Sequence, residues 1–411
     1  MVYSMFAIKA NVLYDGYGKK EDVFIVIDSD RIKEITEKNP GIDVQFEGIV
    51  TPAFIDGHSH IGMARHGEPV SEEETNEIRD IFMPTLNPLD SIYFDDKYLM
   101  DAVEFGVLYS CVVPGSGNLF GGKAIIIRNF AKNRSEAFLR DYGYKMALGF
   151  NPRSTLEWRG KRYKTRMGVY ALLREEFIKV LNKKRKLEIE KNEELRNLKK
   201  DLDKGEITQE EYEKSVQQIE EKIQLEFEPY EIALLEMLDR KKVVKTHVHK
   251  EDDVLFLLDI IKEFNLIATA DHVCDIFRVE TFKALKEANV PVVYGPIDSF
   301  AYKTELMHET YKNVKALIES GVKYCLMSDH PVILARNLTL QLRYFLMYGL
   351  SKEKAISVVT KEAAEILNIS DILGTVEPGK YASLVVWNDD PFYLGSKPVA
   401  VIAEGKTIYK A

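Results

Sequence analysis

From about residue 51 to residue 370 the chain alternates short apolar runs with stretches of helical periodicity, and no other feature limits its fold so tightly. The apolar runs at 107–113, 144–149, 243–248, 266–272, 290–295 and 323–329 read as strands, most of them apolar enough to be buried on both faces. Segments 252–264, 280–288 and 309–320 carry apolar residues at three-four spacing and read as amphipathic helices between them. Strand and helix in alternation imply a parallel sheet. This many repeats favour a closed (β/α)8 barrel of the TIM type over an open sheet, with the reaction face at the C-terminal ends of the strands.

The two ends of the chain have a different texture. Residues 1–50 and 371–411 consist of short strand-like runs separated by turn residues, and neither block is long enough to build its own core. Their simplest packing is one small β-sandwich domain made from both termini, flanking a (β/α)8 barrel over 51–370. Residues 183–223 break the barrel rhythm: they are densely and evenly charged, with an apolar stripe at helical spacing. Gly205 interrupts the run, and Thr208 followed by Glu211 fits a capping box that starts a second helix. The segment reads as a helical hairpin inserted in the barrel, a solvated excursion with a lid or dimer contact as the functional alternative.

Composition excludes several functions. The chain has 411 residues, 45% hydrophobic, and its net charge of −9 leaves no basic footprint for nucleic acid. No window approaches the length of a membrane span, and Asp15, Lys19 and Glu21 stand where a signal peptide would need an apolar stretch, so a cytoplasmic protein is expected. Cys111, Cys274 and Cys325 are far apart and in apolar contexts, which suits buried free thiols. A small-molecule substrate is the expected partner; the hairpin's apolar stripe leaves room for a homo-oligomer.

Chemistry collects at the strand ends. His58 and His60 close an apolar run, and residues i and i+2 of a strand face the same side, so both imidazoles can reach one metal ion. His247 and His249 end the 243–248 run, His272 ends 266–272, and Asp329 with His330 follows the core of 323–329. A metal site needs ligands from several strands converging at the barrel mouth, and this is where they fall. His249 shares a strand side with His247 but is read toward substrate or the outer shell of the site. Arg65 and Arg153, both after strand ends, are candidate clamps for a substrate carboxylate. The glycine-rich stretch 114–123 reads as a close-packed turn, since it lacks the spacing of a phosphate loop.

These motifs resemble the amidohydrolase superfamily, in the branch that includes imidazolonepropionase and related cyclic amidases, deaminases and dipeptidases. The resemblance rests on Pro52-Ala-Phe-Ile-Asp-Gly-His-Ser-His60, Pro114-Gly-Ser-Gly-Asn118, Thr246-His-Val-His-Lys250, Asp271-His272, Ser328-Asp-His-Pro331 and the stretch 374–386, and it covers nearly the whole chain. It implies that His58, His60 and Asp329 hold the more buried metal, with Asp329 also the general base. It implies that His247 and His272 hold a second ion or, in mononuclear members, bind the reacting carbonyl or water; His272 is thereby also a catalytic candidate. Binuclear relatives bridge the ions with a carboxylated lysine, and Lys145 is the one candidate, although it is read as standing near the start of its strand. Phe150 in Gly149-Phe-Asn-Pro152 departs from the glutamate expected at that place.

The implied activity is metal-dependent cleavage of a C–N bond, in a cyclic amide, amide or dipeptide-like substrate, by attack of metal-bound hydroxide. The expected cofactor is one or two divalent ions, zinc first, with iron or manganese as alternatives. Two rivals are a deaminase of a nitrogen heterocycle and a catalytically silent scaffold. Glu251 stands one residue farther from His247 than the deaminase pattern asks, and the complete ligand set argues against the scaffold.

Overall fold

A computed structural model of the chain describes residues 5–64, 69, 72–153 and 162–411. The N-terminal strands are β1 (Phe6–Tyr14), β2 (Lys19–Asp28), β3 (Arg31–Thr36) and β4 (Val44–Pro52). The barrel strands follow: β5 (Phe54–Ser59), β6 (Val107–Val112), β7 (Phe120–Arg128), β8 (Phe138–Ala147), β9 (Val243–Val248), β10 (Ala268–His272), β11 (Val292–Tyr294) and β12 (Tyr324–Leu326). Three strands close the chain, β13 (Leu384–Trp387), β14 (Pro398–Ala403) and β15 (Lys406–Lys410).

The terminal strands form one seven-stranded sheet in the order β15-β14-β13-β4-β1-β2-β3, which joins both ends of the chain. β4 is its hinge with the rest: it pairs with β1 on one side and β13 on the other, then passes through Ala53 directly into β5. A separate apolar core, including Ile8, Leu13, Ile25, Val50, Leu384 and Ile402, fills the sheet's inner face.

The second sheet has eight strands in sequence order from β5 to β12. Backbone bonds from Asp329 N to the His58 carbonyl (3.1 Å) and from His60 N to the His330 carbonyl (3.1 Å) link its two edges. The strands from β8 to β12 are parallel, as are β5 and β6. The expectation of an all-parallel barrel needs correction at β7, which runs antiparallel to both β6 and β8. Its connections, residues 113–119 and 129–137, are too short for the crossover that parallel neighbours need.

Helices alternate with the later strands, over Glu251–Phe264, Val279–Glu287 and Val314–Ser320. The charged segment lies in two helices, Arg166–Asp203 and Gln209–Leu225, so the first begins well before residue 183. Gly205 at φ +74° turns the chain, and Thr208 and Glu211 form the reciprocal capping box. Cross-helix pairs Lys191–Glu220 (2.8 Å) and Lys222–Glu194 (3.1 Å) hold the two helices side by side. Among the described residues no helix is long and apolar enough to cross a membrane.

Candidate metal centre

The C-terminal ends of the barrel strands bring the predicted histidines together. His58 lies at the end of β5 and His60 just beyond it; His247 is in β9, His249 one residue past its end, and His272 closes β10. Asp329 follows β12 by three residues. Two groups result, His58 with His60 and Asp329, and His247 with His249 and His272, each offering ligand atoms within 4.8 Å of one another. The groups adjoin, since the His58 and His272 rings are 4.9 Å apart. All five histidines are buried, and Asp329 is partly exposed.

Hydrogen bonds aim the rings. His60 Nδ1 donates to the Val113 carbonyl (2.7 Å) and His272 Nδ1 to the Gly295 carbonyl (2.9 Å), and since a carbonyl only accepts, each ring keeps its Nε2 lone pair free. His58 Nδ1 lies 2.6 Å from Asp271 Oδ2, which turns its Nε2 toward Asp329 Oδ1 (3.6 Å) and Lys145 Nζ (3.0 Å). His60 Nε2 meets Asp329 Oδ1 at 3.1 Å. In the second group, His272 Nε2, His247 Nδ1 and His249 Nδ1 are buried without a hydrogen-bond partner among the described residues. Buried polar atoms are rarely left so, and donors of this kind suit a divalent ion. Burial pushes His58, His247, His249 and His272 well below the ordinary imidazole range, which keeps them neutral as ligands must be.

The carboxylates and lysines follow the same logic. Burial works against the Asp329 charge, but the adjoining His60 and Lys145 outweigh it and hold the carboxyl below its usual range. Lys145 is fully buried, and burial lowers its ammonium to about 8. The sequence reading put it near a strand start; β8 begins at Phe138, so Lys145 is two residues from the strand's end, at the mouth. Backbone at the site is strained: His272 (φ +74°), Val273 (φ +49°) and Asp329 (φ +50°) occupy the left-handed region, which a β-branched residue such as Val273 enters at a cost.

Several contributors carry no local sequence signal. Lys245, wholly buried in β9, pairs with Asp271 Oδ2 at 2.8 Å and so steadies the carboxylate that orients His58. Glu305, from the loop after β11, is buried with Oε1 3.4 Å from His247 Nε2 and Oε2 accepting from Phe150 N (2.9 Å). Asn151 also lies 3.4 Å from His247 Nε2. Asn151, the second histidine group, His60 and Asp329 line a cleft of about 260 Å³, together with Glu73, Asn76, Lys303 and Glu309. His249, read toward substrate, is grouped with His247 and His272 as well as lining this cleft. Arg153 sits over the Phe150 ring at 5.2 Å and is not among the cleft-lining residues; Arg65 lies outside the described residues. Glu251 accepts from Thr281 Oγ1 (2.8 Å) rather than facing the cleft.

Comparison with known proteins agrees with this architecture. A profile of the amidohydrolase family matches residues 163–408, more than half of the chain, and the chain belongs to that family. It is thus a member of the amidohydrolase superfamily with imidazolonepropionase-like relatives. It is 26% identical over 407 residues to amidohydrolase tasK of Hapsidospora irregularis, covering 93% of this chain and 39% of that protein. An imidazolonepropionase of Bacteroides thetaiotaomicron is 27% identical over 135 residues, 31% of each chain. The chain therefore spans less than half the length of these curated relatives. The crystal structure of an amidohydrolase from Thermotoga maritima MSB8 superposes with a TM-score of 0.83 at 27% identity, covering 99% of this chain and all of that one.

Proposed function

We propose that the chain is a metal-dependent hydrolase of C–N bonds in small cyclic amides, amides or dipeptide-like substrates, with zinc the first candidate and iron or manganese next. The observation that carries this reading is the pair of ligand groups facing one cleft, with rings fixed by outer hydrogen bonds and lone pairs left unpartnered. His58, His60 and Asp329 would hold one ion; His247, His272 and His249 would hold the other. Lys145, beside His58 Nε2, would serve as the carboxylated ligand of a binuclear form, and its lowered ammonium pKa supports the neutral amine that carboxylation needs. Divalent ions at such sites acidify water and polarise carbonyl groups.

The chain's own residues do the rest. Asp329 takes the proton from the attacking water at a carboxylate oxygen and returns it to the departing nitrogen, its basicity shaped by His60. In a mononuclear form, His272 would instead use its Nε2 lone pair to accept a hydrogen bond from the reacting water. Asp271, held by Lys245, keeps His58 turned toward the ions.

The test is metal content per chain by elemental mass spectrometry on the wild type, Asp329→Asn and His247→Ala. About two equivalents, falling on loss of His247, support the binuclear form, and about one supports a mononuclear site. Absence of bound metal after growth with added zinc, manganese or iron rejects the reading and favours a silent scaffold.

A further inference from the structure

The metal cleft has a side chamber of different character. It is about 220 Å³ in volume and opens through Cys274, Pro296, Ser299 and Glu309, which line both spaces. Its walls carry two carboxylates, Asp298 and Glu309, and two tyrosines, Tyr294 and Tyr311; no lysine or arginine is among its described lining residues. Asp298 accepts from the Tyr344 hydroxyl and Glu309 Oε1 from Ser299 Oγ (3.3 Å). Glu309 Oε2 is buried and has no hydrogen-bond partner among the described residues.

A buried carboxylate oxygen without a donor costs free energy unless something arrives to meet it. The cation in the neighbouring cleft, Lys303, lies 3.7 Å from Glu305. Burial, with the added repulsion of Asp275 and Asp298, pushes the Glu309 carboxyl up to about 7, the response of an acid that lacks a counter-charge. We propose that this chamber is the specificity pocket of the cleft and takes a positively charged arm of the substrate, an alkylammonium or guanidinium group, which pairs with Glu309 while the scissile carbonyl lies over the histidine groups. The tyrosine rings in the wall would add a favourable contact for a cation. The inference rests on the metal-dependent reading above and narrows its substrates to amides that carry a basic group.

The experiment uses two hydroxamates, which seek metal ions and differ only in the charged terminus: L-lysine hydroxamate and L-norleucine hydroxamate. Calorimetry is run on wild type and Glu309→Gln, with metal content measured on the same samples. The expected result is a preference of about ten-fold or more for the lysine compound in the wild type, falling to near unity in Glu309→Gln. Equal affinities in the wild type, a preference for norleucine, or a lysine preference that survives in Glu309→Gln overturns the inference. Failure of both probes on metal-loaded protein also overturns it, whereas failure on protein that holds no metal shows that the metal-dependent reading itself has fallen, and the pocket assignment with it.

Discussion

The terminal sheet and the barrel sheet are built from the same apolar strand residues, yet they treat buried polar groups in opposite ways. In the terminal sheet the buried polar side chains are satisfied locally: Asp15 Oδ1 accepts from the backbone of Tyr17 and Gly18, each at 2.8 Å, and Thr51 Oγ1 accepts from Trp387 Nε1 at 3.1 Å. Among the described residues, none of the buried side-chain atoms lacking a hydrogen-bond partner belongs to that sheet. At the barrel mouth His247, His249, His272 and Glu309 all have such atoms. Each unmet group costs about 1–3 kcal/mol, so the mouth carries a local cost in stability that the terminal sheet does not.

This contrast can be broken by substitution. Asp329→Asn should lower hydrolysis about 10²–10⁴-fold with little change in the denaturation midpoint, as read by steady-state assay beside urea unfolding. The opposite pattern is expected for Ile25→Ala in the terminal core, a loss of about 2–5 kcal/mol in stability with metal content unchanged. If Ile25→Ala strips the metal while the chain stays folded, the two regions are energetically one. Asp271→Asn sharpens the picture, since removing the carboxylate charge beside His58 Nδ1 should weaken metal binding roughly 10–100-fold in competition with a chromophoric chelator. The smallest effect belongs to Thr208→Ala, which removes a helix cap and should cost about 1 kcal/mol, seen as faster amide exchange over residues 209–225. A fall in hydrolysis from that change would tie the hairpin to the cleft.

What the sequence made legible follows from how local each signal is. The strands β9 and β10 stand out because Val243–Val248 and Ala268–His272 lie in apolar runs ending in histidine, and the ligand pairs could be read from two-residue spacing. β7 was hidden because it opens with Gly121 and Gly122, which look like a turn; the structure pairs this stretch with β8 and sets Gly122 at φ +136° against the Leu86 carbonyl. The place of Lys145 was misjudged because the first half of β8, Phe138–Tyr142, is half polar and does not look like a buried strand. Glu305 and Glu309 were invisible for a different reason. They lie in a connection after a three-residue strand, Glu305 in a single 3-10 turn, and only the tertiary fold brings that connection over His247 and Cys274. The pairing of Lys245 with Asp271 is likewise a cross-strand fact, set by the parallel register of β9 and β10.

The passage from β4 through Ala53 into β5 makes the first two histidines hostage to the far end of the polypeptide. β4 is held along one edge by β13, with Ala53 N bonded to the Ser383 carbonyl at 2.9 Å, so the strand that delivers His58 is anchored by residues made more than three hundred positions later. During synthesis the barrel's opening strand therefore lacks its clamp until the closing strands emerge. A protease that clips the chain between residues 333 and 383 would loosen the barrel mouth without touching a residue that lines its cleft.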